Sequence, residues 1–219
     1  MLILRLDDDS LDFPNPRFAH QEGLLAWGGD LSPKRILKAY RSGIFPWFNE
    51  ASPPLWWSPD PRMVLFLDDI KISKSLKKSL KKFEIKFDTN FLHVIQLCKN
   101  SREESWISDE LIEVFYSLHV KGLAHSVESY YDGELVGGLY GLYLGGVFCG
   151  ESMFALRRDA SKVALVALVE KLKSLGSDFI DAQVVTAHLK SMGAKEIKRD
   201  DFLDMLKLSL EKDDRRGRW

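Results

Sequence analysis

Only two cysteines, Cys98 and Cys149, occur in 219 residues. Two thiols cannot staple a disulfide scaffold or make a cysteine-based zinc site, and their scarcity suits a reducing compartment. No stretch approaches the ~20 consecutive apolar residues of a membrane-spanning helix. The acidic start MLILRLDDDS has too short an apolar stretch for a secretory signal, so a cytoplasmic protein is expected. Neither charge prevails: 31 Lys and Arg against 32 Asp and Glu leave a net charge of −1. Any nucleic acid must therefore be met by a local basic patch. The five histidines, His20, His93, His119, His125 and His188, lack metal spacing such as HExxH, and no metal and no cofactor is expected. Without a GxGxxG or GxxxxGK[ST] motif, dinucleotide and P-loop readings have no support. The remainder is ordinary for a folded chain, 45% hydrophobic and 29% charged, enough for one core and a small appended unit.

The texture changes near residue 60. Seven of the eight prolines and four of the six tryptophans precede it, and each proline removes a backbone donor and biases its predecessor away from helix. One helix is still credible there, with Ser32 as cap, Pro33 in the first position and Ile36, Leu37 and Tyr40 at helical spacing before Gly43. Residues 73–83, SKSLKKSLKKF, read as a basic amphipathic helix with Leu76, Leu80 and Phe83 on one face. Helical patterns follow at 91–98 and 109–121. Strand patterns at 125–131, 134–143 and 146–153 are separated by the turn pairs Asp132-Gly133 and Gly145-Gly146. A long apolar helix at 159–175, a strand at 179–185 and a short helix ending at Gly193 complete a mixed α/β pattern. The expected organisation is a small Pro/Trp-rich domain over 1–60 and a larger one over 61–219.

Three places interrupt apolar runs with chemistry. In FIDAQVV, Asp181 and Gln183 stand two apart, so regular alternation puts both on one face. Burying them costs several kcal/mol unless they are paired, which leaves either a ligand or a local structural partner. In FCGESMF, Glu151 sits beside Gly150 in an apolar strand, a sign of close ligand approach or of a bulge with a structural glutamate. Cys149 reads as a small buried hydrophobe rather than a nucleophile. Seven lysines between 71 and 86 against one glutamate, Glu84, could track phosphates or form a solvated helix face.

The blocks GLLAWGGDLSP, AYRSGIFPWF, LWWSPDPR, AHSVE, ELVGGLYG, FCGESMF, ASK and IDAQV, in that order over about residues 13–202, closely resemble the leucyl/phenylalanyl-tRNA–protein transferases. The resemblance implies a small N-terminal domain joined to a GNAT-like acyltransferase domain with a mixed sheet. It implies transfer of leucine or phenylalanine, with methionine a third candidate, from aminoacyl-tRNA to the α-amine of proteins beginning with arginine or lysine. That addition would mark them for degradation. By the same resemblance Asp181, Gln183 and Glu151 are catalytic, and Tyr40, Trp47 and Trp106 meet the terminal adenosine and aminoacyl end. Leu139, Phe148, Met153, Leu165, Leu168 and Ile180 form the side-chain pocket. Lys77, Lys78, Lys81 and Lys82 of the basic helix are the expected RNA footprint. Departures are Thr186 where the family has Asn, and Leu168 in place of an aromatic residue. The expected partners are aminoacyl-tRNA and acceptor proteins, with no membrane and a monomeric state. Competing readings are an acyl-CoA-dependent N-acyltransferase and a non-catalytic module that binds tRNA or N-terminal degrons.

Overall fold

The computed structural model describes residues 3–49, 52–101 and 105–219. Its elements run β1 (Leu4–Leu6), β2 (Leu24–Gly28), α1 (Pro33–Arg41), β3 (Phe45–Pro46), β4 (Leu55–Trp57), β5 (Arg62–Phe66), α2 (Lys74–Leu80), β6 (Glu84–Phe87), α3 (Phe91–Asn100), α4 (Asp109–Val120), β7 (Ala124–Tyr131), β8 (Glu134–Leu144), β9 (Val147–Ala155), α5 (Ala160–Ser174), β10 (Phe179–Gln183), α6 (Ala187–Ser191), β11 (Lys195–Ile197) and α7 (Arg199–Ser209). The helix starts follow side-chain caps. Ser32, Ser73, Ser108 and Thr186 accept the N–H groups of Arg35, Leu76, Leu111 and Leu189, each satisfying a donor the helix leaves open. Thr186 thus does the capping work open to the Asn that the resemblance leads one to expect there.

Two sheets form. The first 60 residues supply a four-stranded sheet, ordered β1-β2-β4-β3, and the remainder a seven-stranded sheet ordered β11-β5-β10-β9-β8-β7-β6. The large sheet is mixed, since β10 runs parallel to β9 and antiparallel to β5. Helices cover both of its faces. On one, α1, α3, α4 and α7 build an apolar cluster with Tyr140, Leu142 and Cys149, and the small sheet's Ala26 and Trp56 belong to the same cluster. On the other, α5 packs over Leu139, Phe148 and Ile180. Helix α5 lies close because residue 137 is glycine, where a Cβ would come within 2.4 Å of the Ala160 Cβ. Among the described residues no helix is long and apolar enough to cross a membrane.

Several expected boundaries shift, three of them as follows. The basic helix ends at Leu80 rather than 83, with Lys81 at its C-cap, because the next residues pair as β6 with β7. The helix expected over 91–98 continues to Asn100. The strand expected over 179–185 stops at Gln183, whose φ of 60° leaves the extended region.

Candidate active site

The face of the large sheet under α5 opens into a cavity of about 900 Å³, within the range of small-molecule pockets. Its apolar wall comes from Leu139 on β8, Phe148 and Met153 on β9, Ile180 on β10, and Leu165 and Leu168 on α5. All six residues expected in the side-chain pocket therefore line one cavity. Trp47, Trp57 and Trp106 also line it. Trp47 is 44% exposed, and its carbonyl accepts the Trp57 indole N–H at 2.7 Å, with ring centroids 5.7 Å apart.

Two bulges decide where the polar groups go. In β9 the register against β8 shifts so that Gly141 and Tyr140 face Gly150 and Ser152, leaving Glu151 as the extra residue. In β10, Asp181 and Gln183 face the consecutive residues Val64 and Met63, with Ala182 as the extra one. The expectation that Asp181 and Gln183 share a face is therefore wrong. Ile180, Ala182 and Gln183 line the cavity and Asp181 does not. Alternation fails because the left-handed backbone at Gln183 re-aims its side chain.

Asp181 and Arg62 form a bidentate pair, Nε to Oδ1 at 2.8 Å and Nη2 to Oδ2 at 2.7 Å, with both side chains almost wholly buried. Arg62 also donates to the Gly43 carbonyl at 3.2 Å and lies over the rings of Phe45 and Phe202. The same Asp181 Oδ1 accepts the backbone N–H of Gln183 at 3.0 Å. Asp181 thus holds the strained turn rather than reaching the cavity. The Gln183 amide Nε2 donates to Glu151 Oε1 at 2.8 Å, which leaves its amide oxygen as an acceptor.

Burial pushes the Glu151 carboxyl up to about 8 from 4.5, although the Tyr40 hydroxyl and the Gln183 amide favour its ionised form. A carboxyl so shifted is largely protonated at pH 7. Tyr40 Oη and Glu151 Oε2 are both buried without a well-aligned hydrogen bond among the described residues. Tyr40 stands behind the carboxyl and does not line the cavity. Burial, and next the Glu151 charge, raises its hydroxyl well above the ordinary value. Burial and the charge of Asp181 likewise raise the Cys149 thiol, which suits the inert reading.

Lys77, Lys78, Lys81 and Lys82 are exposed on and just after α2 and do not line the cavity. Sequence reasoning missed three participants. Arg62 and Trp57 stand in LWWSPDPR, whose density of unusual residues was the available signal. His188 lines the cavity, and burial, then Lys162, lowers its pKa; nothing in its sequence surroundings marks it.

Residues 64–207 match the family profile described as "Leucyl/phenylalanyl-tRNA protein transferase", and residues 29–60 match that described as its N-terminal domain. A leucyl/phenylalanyl-tRNA–protein transferase of Sulfurimonas denitrificans is 56% identical over 209 residues, covering 94% of this chain and 92% of that protein. One of Nitrosospira multiformis is 51% identical over 224 residues, covering 100% and 97%. Among solved structures, an aminoglycoside acetyltransferase from an uncultured soil metagenomic sample is similar at a TM-score of 0.39 and 16% identity, covering 58% of this chain and 88% of that one. A GCN5-related N-acetyltransferase from Kribbella flavida is similar at 0.41 and 10%, covering 77% and 61%.

Proposed function

This chain belongs to the leucyl/phenylalanyl-tRNA–protein transferase family, and from that membership we propose that it moves leucine or phenylalanine from aminoacyl-tRNA onto the α-amine of proteins beginning with arginine or lysine, creating a degradation signal. The observation that carries the reading is a hydrogen-bonded Gln183–Glu151 pair in an apolar cavity. The apolar wall suits a leucine or phenylalanine side chain, whose burial is worth about 1.5–3 kcal/mol. A charged side chain would lose its solvation there without a partner. Indoles at Trp47, Trp57 and Trp106 offer stacking surfaces for the terminal adenine, worth roughly 1–3 kcal/mol.

The ester donor is already activated, so the reaction needs positioning and proton handling. The acceptor nitrogen attacks the ester carbonyl carbon, the C–N amide bond forms, and the bond to the ribose oxygen breaks. The proton lost by nitrogen ends on that oxygen, directly or through water. An α-amine with a pKa of about 7.7–8.0 is ~15% neutral at pH 7, so no strong base is required. The Gln183 amide oxygen accepts a hydrogen bond from the attacking amine and aims it. Asp181 acts at one remove: pinned by Arg62, it holds the Gln183 backbone. A route for the proton through Asp181 is unfavourable, because its carboxylate is sealed behind that pair. The acceptor's cationic side chain would favour ionisation of Glu151 and then pair with it.

Mass spectrometry of a peptide with N-terminal arginine, incubated with the protein and separately with Leu-tRNA, Phe-tRNA or Met-tRNA, tests the proposal. One added leucine or phenylalanine is expected. An unmodified peptide in the presence of bound tRNA would overturn it.

A further inference from the structure

Trp219, the last residue of the sequence, does not line the cavity, yet its indole packs against a side chain that does. The Phe148 ring lies 5.8 Å from it at a tilt of 40°, and Phe148 is fully buried. The indole is itself wedged in place. It stacks on His125 at 4.1 Å and 6°, meets Tyr143 at 5.6 Å, and has Lys171 of α5 at 5.9 Å over its ring. It therefore occupies the gap between the sheet and α5 on the side of Phe148 away from the opening. Half-buried itself, Trp219 packs against the apolar cluster that holds Leu139, Leu165, Leu168 and Ile180.

The backbone around it is tethered separately. The Trp219 N–H donates to Asp88 Oδ2 at 2.8 Å, and the same oxygen faces His125 Nδ1 at 2.8 Å. Burial works against the Asp88 charge, but His125 and the N–H groups of Trp219 and Ser126 hold its pKa below the ordinary value. Asp88 thus remains a charged anchor that does not depend on the indole. Truncating the ring leaves that anchor intact and isolates what the ring does.

We infer that Trp219 is a positioning residue that sets the depth of the donor side-chain pocket by blocking retreat of Phe148. The inference rests on the proposed reading that this cavity receives the transferred side chain. Interiors are close-packed, so the indole behind the Phe148 ring leaves it no room to retreat. Removing the indole opens that volume, and Phe148 can move back into it. A deeper pocket favours phenylalanine over leucine, because small differences in apolar fit are what such a pocket can discriminate.

Steady-state kinetics with Leu-tRNA and Phe-tRNA as donors, for the wild-type protein, Trp219→Ala and Trp219→Phe, test this. In Trp219→Ala the ratio of kcat/KM for phenylalanine over leucine rises roughly five- to tenfold. The change is carried by KM, with kcat held within about twofold, because ground-state and transition-state binding change together. Trp219→Phe restores a ring behind Phe148 and returns the ratio toward the wild-type value. Thermal melting checks folding, and Trp219→Leu replaces the alanine variant should that variant not fold. A ratio that stays constant while both donors weaken in parallel, or one that moves toward leucine, overturns the inference and leaves a merely structural tail. A wild-type protein inactive with both donors overturns the transferase reading itself, and this inference with it.

Discussion

At Gln183 a single residue in the left-handed region does what regular alternation cannot. It turns an amide into the cavity while its neighbour two positions back stays in the opposite layer. Such a conformation costs on the order of 1–3 kcal/mol for a residue other than glycine, and the Asp181 carboxylate, gripped by Arg62, offsets it through the backbone N–H. The two residues should therefore fail differently. Gln183→Ala removes the amine-orienting oxygen and lowers kcat by roughly 10²-fold, with stability little changed. Asp181→Ala also strands a buried guanidinium, a loss of about 3–5 kcal/mol. Urea denaturation alongside single-turnover rates separates them, and equal stability of the two variants would count against the positioning role. Glu151 carries a second prediction. Its carboxyl pKa is 4.5 when unperturbed and about 8 in the folded chain, so the folded state retains a proton the unfolded state releases. Its contribution is therefore fully present below pH 4.5 and is lost as pH rises through about 8. Melting temperatures of the wild type should fall relative to Glu151→Gln across that interval, and parallel curves would show that the group is not raised.

Among the elements, α2 is built to be exposed. Leu76 is buried in the core and Leu80 packs against it, while Lys77, Lys78, Lys81 and Lys82 point outward and make no ion pair among the described residues. With net charge near zero, long-range attraction of RNA must come from a patch of this kind. Replacing the four by alanine should flatten the dependence of log K for tRNA on log salt by about 0.7–0.9 for each lysine that neutralises a phosphate. Leu76 keeps its packing, so the melting temperature should move little. Anisotropy titrations at several salt concentrations read the slope, and an unchanged slope removes α2 from the RNA footprint. The bulged strands make the complementary point. β9 and β10 are the parallel pair of the sheet, and each carries its extra residue where the polar groups of the cavity stand.

For the molecule as a whole, the first 60 residues and the rest share one apolar cluster. Polar contacts reinforce it. Arg199 at the start of α7 donates to the carbonyls of Ser58 and Arg17, Arg62 reaches the Gly43 carbonyl, and Arg41 pairs with Asp214. The first segment also brings Trp47 and Trp57 to the cavity and Tyr40 to Glu151. We therefore expect calorimetry of the whole chain to give one cooperative transition, because neither part can expose this shared surface without loss to the other. Two resolved transitions would show that 1–60 and 61–219 are energetically independent. Deleting the first segment should abolish transfer, because stacking surfaces and a wall of the cavity go with it.

Periodicity and punctuation in the sequence sufficed for the mixed α/β class, the helix capped by Ser32 and the Asp-Gly and Gly-Gly hairpins, because those depend on neighbours within a few positions. The family resemblance picked out six of the apolar residues that line the cavity. Tertiary structure alone decided that Asp181 turns away from the cavity, that Arg62 is its partner 119 positions earlier, and that Glu151 is buried far enough to hold its proton near neutrality. The same holds for Trp219 behind Phe148. Each of these follows from a bulge, a buried charge or a filled gap, which are set by atoms distant in sequence, and no local pattern of residue types encodes them.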